Sequence, residues 1–159
     1  MLKIKNVSKT FNLGTINEKK ALKNINLTLE DGDFVTIIGG NGAGKSTLMN
    51  MVAGVYPIDC GHIYLDDDDI SLDPEYKRAS RIGHVFQDPM MGTAADMSIQ
   101  ENLAMAARRG KRRGLGWGVK KSELETYRKE LKKLGLGLES RMTSKVGLLS
   151  GGQRQAITL

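Results

Sequence analysis

The chain has 159 residues, 40% of them hydrophobic and 26% charged, with a formal net charge of +6. That is long enough for one well-buried core, too polar for a membrane span of roughly 20 apolar residues, and basic enough to suit phosphates, nucleic acid or acidic lipid headgroups without choosing among them. The opening Met1-Leu2-Lys3-Ile4-Lys5 alternates apolar and charged residues and lacks the apolar centre of a secretory leader, so a cytosolic location is expected, and the single cysteine, Cys60, reads as a packing residue.

In chain order, Leu2, Ile4 and Val7 mark a first strand, and Ala21 to Leu29 alternates at period two, as a half-buried antiparallel strand does. After the turn Glu30-Asp31-Gly32-Asp33, the apolar, β-branched run Phe34-Val35-Thr36-Ile37-Ile38 predicts a buried parallel strand. A glycine-rich loop follows. Lys45 to Ala53 then predicts a helix with Leu48, Met49, Met51 and Val52 inward and Gly54 as its C-terminal cap. Gly61 to Leu65 and Ile82 to Phe86 predict two more strands, with Pro89 ending the second. Beyond Met90 the pattern becomes helical, over Ile99 to Arg109 and Lys121 to Leu134, and the four glycines between Gly110 and Gly118 predict a loop. The division expected is a mixed α/β part at 1–89, a helical part at 90–148 and a short terminal piece at 149–159.

Gly39-Gly40-Asn41-Gly42-Ala43-Gly44-Lys45-Ser46 satisfies G-x-x-x-x-G-K-[ST] between a predicted strand and a predicted helix. Glycines let a backbone wrap phosphates with its N–H groups inward, and the helix turns its partly positive N-terminus toward the same anions. Lys45 adds a full charge at the β- and γ-phosphates, the Ser46 hydroxyl suits Mg2+, and Thr47 is a further phosphate contact. The loop alone does not choose among kinases, GTPases and motors, which share it.

Leu149-Ser150-Gly151-Gly152-Gln153 narrows the choice. With it the chain resembles the ABC ATPase family, whose LSGGQ signature opens a helix. A Ser-capped helix N-terminus, which the same residues also describe, is itself a second anion site. The resemblance implies a P-loop NTPase fold: a RecA-like core with an antiparallel β subdomain, plus an α-helical subdomain. It further implies ATP and Mg2+ as cofactors, and head-to-tail pairing with a second ABC ATPase subunit. Ser150, Gly151, Gly152 and Gln153 would then cover ATP held on the partner's phosphate loop. Phe11 falls where the family stacks an aromatic ring on adenine. Gln87, in Phe86-Gln87-Asp88-Pro89, falls at the Q-loop, where an amide reaches magnesium and the attacking water; Lys45 and Gln87 are thus the catalytic candidates.

The same resemblance implies transmembrane permease subunits as partners, a solute-binding protein as a further one, and a place on the cytoplasmic face of the cell membrane. It also calls for a strand ending in Asp and Glu, and then a switch His, after the signature helix, so the C-terminal part of the core is expected beyond Leu159. The chain alone is therefore expected to be marginally stable and nearly without turnover. Asp66 to Asp69 follow an apolar run but precede the signature, and read as a solvated turn, while His62 and His84 come too early for the switch. Two other readings stand beside the transporter. One is an ABC ATPase that works on ribosomes or chromosomes. The other is a nucleic-acid site formed by Arg108, Arg109, Lys111, Arg112, Arg113, Lys120 and Lys121 around Trp117, less favoured than a loop near lipid headgroups or a partner subunit.

Overall fold

The computed structural model describes residues 1–88, 90–111 and 114–158, and the chain divides into two compact units, Met1–Ile82 and Gly83–Leu159. In the first unit, β1 (Leu2–Phe11), β2 (Lys19–Leu29), β3 (Cys60–Leu65) and β4 (Asp68–Asp69) form an antiparallel sheet of order β2-β1-β3-β4. α1 (Lys45–Ala53) and the single-turn α2 (Glu75–Arg78) complete it. Ile4, Val7, Leu22, Leu48, Met51, Ile63 and Ile70 make its core.

Strict alternation would not bury both Ile4 and Val7, which are three residues apart. A bulge between them corrects the phase: Asn6 takes φ 51°, and the register with β2 shifts there. Asparagine tolerates the left-handed region better than most residues. Asn24 on β2 adopts the same φ, the Asn6 N–H donates to Asn26 Oδ1 at 2.9 Å, and the Asn24 N–H donates to Ser8 Oγ at 2.8 Å, so the displaced amides keep partners. On β3 the bulge demands glycine, because a Cβ at Gly61 would stand 2.5 Å from the carbonyl oxygens of Lys5 and Asn6.

α1 has the predicted limits, with Gly54 at φ 87° donating its N–H to the last turn. Leu48 and Met51 point inward as expected; Met49 is exposed. The carbonyls at the C-terminal end of α1 are held by a buried guanidinium: Arg78 donates to Met51 O at 2.7 Å, Val52 O at 3.1 Å, Ser71 O at 2.9 Å and Asp73 O at 2.8 Å. The hairpin Asp66 to Asp69 is solvated as expected, with Arg81 pairing Asp66 and Asp68, and Asp69 taken by His62 and Ser71.

Three further expectations are corrected. Phe34 to Ile38 has no ladder partner among the described residues, and Phe34 and Ile38 are 95% and 89% exposed. Ile82 to Phe86 is likewise unpaired, and its expected stop, Pro89, lies outside the described residues. A buried parallel strand is defined by neighbours remote in sequence, which an apolar run cannot reveal. Cys60 is exposed at the start of β3 and is no packing residue.

In the second unit, α3 (Ile99–Ala107), α4 (Lys121–Lys133) and α5 (Gly151–Thr158) surround Ile99, Ala104, Tyr127, Leu131, Leu138, Met142, Val146 and Leu149. Ser98 and Glu101 close a capping box at α3, and the buried Asn102 side chain bonds the backbone of Ala94 and Ser98. α3 ends two residues before the expected Arg109; Arg108 instead reaches Glu123 of α4 at 2.8 Å, and Tyr127 O–H donates to the same carboxylate. Burial, and after it that carboxylate, raises the Tyr127 pKa above its ordinary value.

Candidate nucleotide-binding site

α1 opens on Gly44, which sits at φ 87° with no side-chain hydrogen bond capping the helix and no acidic residue in its first turn. A Cβ at Gly44 would lie 2.6 Å from Ala21 O and 2.8 Å from Leu22 Cδ2, so β2 presses directly on the loop and only glycine fits. Gly42 is also left-handed, at φ 80°. Lys45 folds back over the loop, its ammonium donating to Gly39 O at 2.7 Å and Gly40 O at 2.8 Å. The result is a helix N-terminus whose amides have no internal anion, beside a cation pinned in the same turn.

That end of α1 faces an open cleft of about 210 Å³ lined by Phe11, Lys19, Ala21 and Asn41 to Thr47. Phe11, the last residue of β1, stands edge-on to Tyr56 with ring centroids 5.4 Å apart, and Asp59 fixes the strand end by accepting from Lys9 Nζ at 2.7 Å and Thr10 N–H at 2.6 Å. The Lys9 ammonium above all, with the Thr10 amide, holds the Asp59 carboxyl below its ordinary pKa, while partial burial opposes them. The structure therefore brings Phe11 together with Asn41, Gly42, Ala43, Gly44, Lys45, Ser46 and Thr47; Gly39 and Gly40 join through their bonds to Lys45.

Lys19 was missed in the sequence. It is opposite Phe11 in the β1–β2 register, and its Nζ lies 3.7 Å from where a Cβ of Gly42 would be. A lysine two residues before the alternating stretch looks like an ordinary strand-edge charge, and only the pairing register carries it to the phosphate loop. A wider cleft of about 1020 Å³ lies in the second unit along α3 and α4, away from any phosphate-binding pattern.

Ser150 caps α5 reciprocally: Gln153 N–H donates to Ser150 Oγ at 3.3 Å, and Ser150 N–H to Gln153 Oε1 at 3.2 Å. Gly151 and Gly152 are exposed, without positive φ, and a Cβ on either would touch nothing. The fold of this chain gives no reason for glycine there, although each costs a helix about 1 kcal/mol relative to alanine. Gln87 is exposed at a bend of the second unit, next to Asp88, whose Oδ1 accepts the Met90 N–H at 2.8 Å.

Among the described residues no group of three or more His, Cys, Asp or Glu side chains could hold a metal. The donors at the cleft nonetheless fit Mg2+, which keeps most of its waters, takes oxygen from phosphates and needs few protein ligands. Ser46 offers a hydroxyl on the cleft wall.

A strand-braced glycine loop feeding an uncapped helix, with its lysine laid across the turn, is the phosphate-binding element of the P-loop NTPases. The ABC transporter family profile matches residues 22–159, and the chain belongs to that family. It is 41% identical to a tyrosine transport ATP-binding protein of Clostridioides difficile, spanning 100% of this chain and 63% of that protein. It is 34% identical to the energy-coupling factor transporter ATP-binding protein EcfA2 of Clostridium acetobutylicum, spanning 99% of this chain and 54% of that one. The chain thus spans less than two thirds of these relatives' length. Among solved structures it resembles a dimeric post-hydrolysis ATP-binding cassette bound to ADP and Pi, at TM-score 0.79 and 32% identity, covering 99% of this chain and 68% of that one. No described helix is long and apolar enough to cross a membrane.

Proposed function

We propose that this chain provides the ATP-binding part of an ABC transporter ATPase subunit, and that a second such subunit closes over the nucleotide to drive transport of a small solute, in the direction of import. The observation that carries the reading is the uncapped, lysine-bearing N-terminus of α1 in one cleft with Phe11. Phe11 would take the adenine face, the amides of residues 42–47 the β-phosphate, and Lys45 would exchange two carbonyl acceptors for phosphate oxygens, forming stronger charge-assisted bonds. Lys19, between the aromatic and the loop, adds a second cation on the nucleotide's path. Ser46 would hold Mg2+, which neutralises phosphate charge and orients the terminal phosphoryl group.

The bare glycines at α5 support the pairing: they leave room for another molecule's phosphates to approach the Gly151 and Gly152 backbone. Gln87 is proposed to orient the attacking water. The relatives named for tyrosine transport and energy-coupling factor support an importer on the cytoplasmic face of a membrane, working with permease subunits. Hydrolysis also needs a carboxylate to polarise water, and in the acidic hairpin after β3 Asp66 and Asp68 are engaged with Arg81 and Asp69 with His62 and Ser71; these 159 residues by themselves are proposed to bind nucleotide and turn it over poorly.

The test is Mg-ATP titration of the protein and of Lys45→Ala. Loss of charge-assisted bonds worth about 3 kcal/mol corresponds to roughly 100-fold weaker binding. Undiminished affinity in the variant would overturn the proposal.

A further inference from the structure

Between Asn102 and Ser122 the chain carries seven lysines and arginines and no acid. Of its described cations, only Arg108 has a carboxylate partner; Arg109, Lys111, Lys120 and Lys121 are exposed and make no ion pair among the described residues. Arg112 and Arg113 contribute to the sequence charge and lie outside the described residues.

Within this basic stretch two large apolar side chains are left in water. Leu115 is 110% exposed and Trp117 is 89% exposed. Glycines at 114, 116 and 118 alternate with them, and a Cβ on any of the three would meet nothing within 4 Å. The core of the second unit is complete without either side chain. An aliphatic and an indole, set between glycines and flanked in sequence by unpaired cations, is a combination that water penalises and that an anionic bilayer surface rewards on both counts.

We propose that Arg109, Lys111, Leu115, Trp117, Lys120 and Lys121 form an interfacial anchor for an anionic lipid surface: Leu115 and Trp117 enter the headgroup–acyl boundary while Arg109, Lys111, Lys120 and Lys121 sit against lipid phosphates. This goes beyond the nucleotide reading and uses none of its residues. Single-stranded nucleic acid would also attract the cations and stack on the indole. It offers no apolar medium for Leu115, which is the more exposed of the two, and the balance therefore falls to the bilayer.

Trp117 is the only tryptophan in the 159 residues, so its emission reports the event directly. The experiment titrates the protein with phosphatidylglycerol-containing vesicles, pure phosphatidylcholine vesicles and a single-stranded oligonucleotide, following Trp117 emission and co-flotation. Expected are a blue shift and co-flotation with the anionic vesicles only, weakened by salt. Lys120→Ser with Lys121→Ser should weaken vesicle binding about tenfold. Leu115→Ser should reduce the blue shift at saturating lipid, with helix content by circular dichroism and Mg-ATP affinity unchanged. No shift with anionic vesicles, equal binding to neutral ones, a shift with the oligonucleotide alone, or an unaltered response in Leu115→Ser would each overturn the proposal.

Discussion

The N-termini of α1 and α5 both follow glycine-rich sequence, and they solve the problem of free helix amides in opposite ways. At α1 no side chain caps the helix, and the glycines are forced: Gly44 is left-handed and jammed against Ala21 and Leu22. At α5 the chain caps itself through Ser150 and Gln153, and the glycines are bare. The first leaves its amides open and is braced by its own sheet. The second is satisfied from within and leaves its top open, so its use depends on what is laid upon it.

Substitution by alanine should therefore act with opposite sign at the two places. Gly44→Ala forces a Cβ onto Ala21 O at a strained φ, and should lower the unfolding free energy by about 3 kcal/mol, with ATP affinity lost as well. Thermal melting and nucleotide titration would read both; a melting temperature equal to the parent's would break the contrast. Gly151→Ala with Gly152→Ala should instead stabilise α5, by about 2 kcal/mol in total, and leave single-site ATP affinity unchanged while abolishing ATP-dependent dimers. Urea unfolding and light scattering separate those effects, and intact dimers would show that nothing approaches those glycines. Lys19→Gln should have the smallest effect, about 1 kcal/mol or fivefold in ATP affinity, with no change for adenosine. An equal loss for adenosine would place Lys19 against the base.

What could be read in the sequence follows the range over which its causes act. α1 was legible to the residue because the phosphate-loop pattern starts it and Gly54 stops it, both locally. Antiparallel β1 to β3 were legible from alternation, except at Asn6, where a bulge hides the change of phase between Ile4 and Val7. Phe34 to Ile38 was legible as apolar and illegible as a strand, since pairing is decided by distant neighbours. At the site, the motif residues were legible, and Phe11 was found through resemblance. Lys19 needed the β1–β2 register, and Arg78 needed the C-terminal carbonyls of α1, to be noticed at all.

The Arg78 guanidinium has a mechanical consequence for α1. With four hydrogen bonds tying Met51, Val52, Ser71 and Asp73 to one planar group, the helix cannot slide along its own axis without breaking them together. Its opposite end abuts β2 at Gly44, so α1 is clamped at both extremities and offers a fixed seat rather than a moving one.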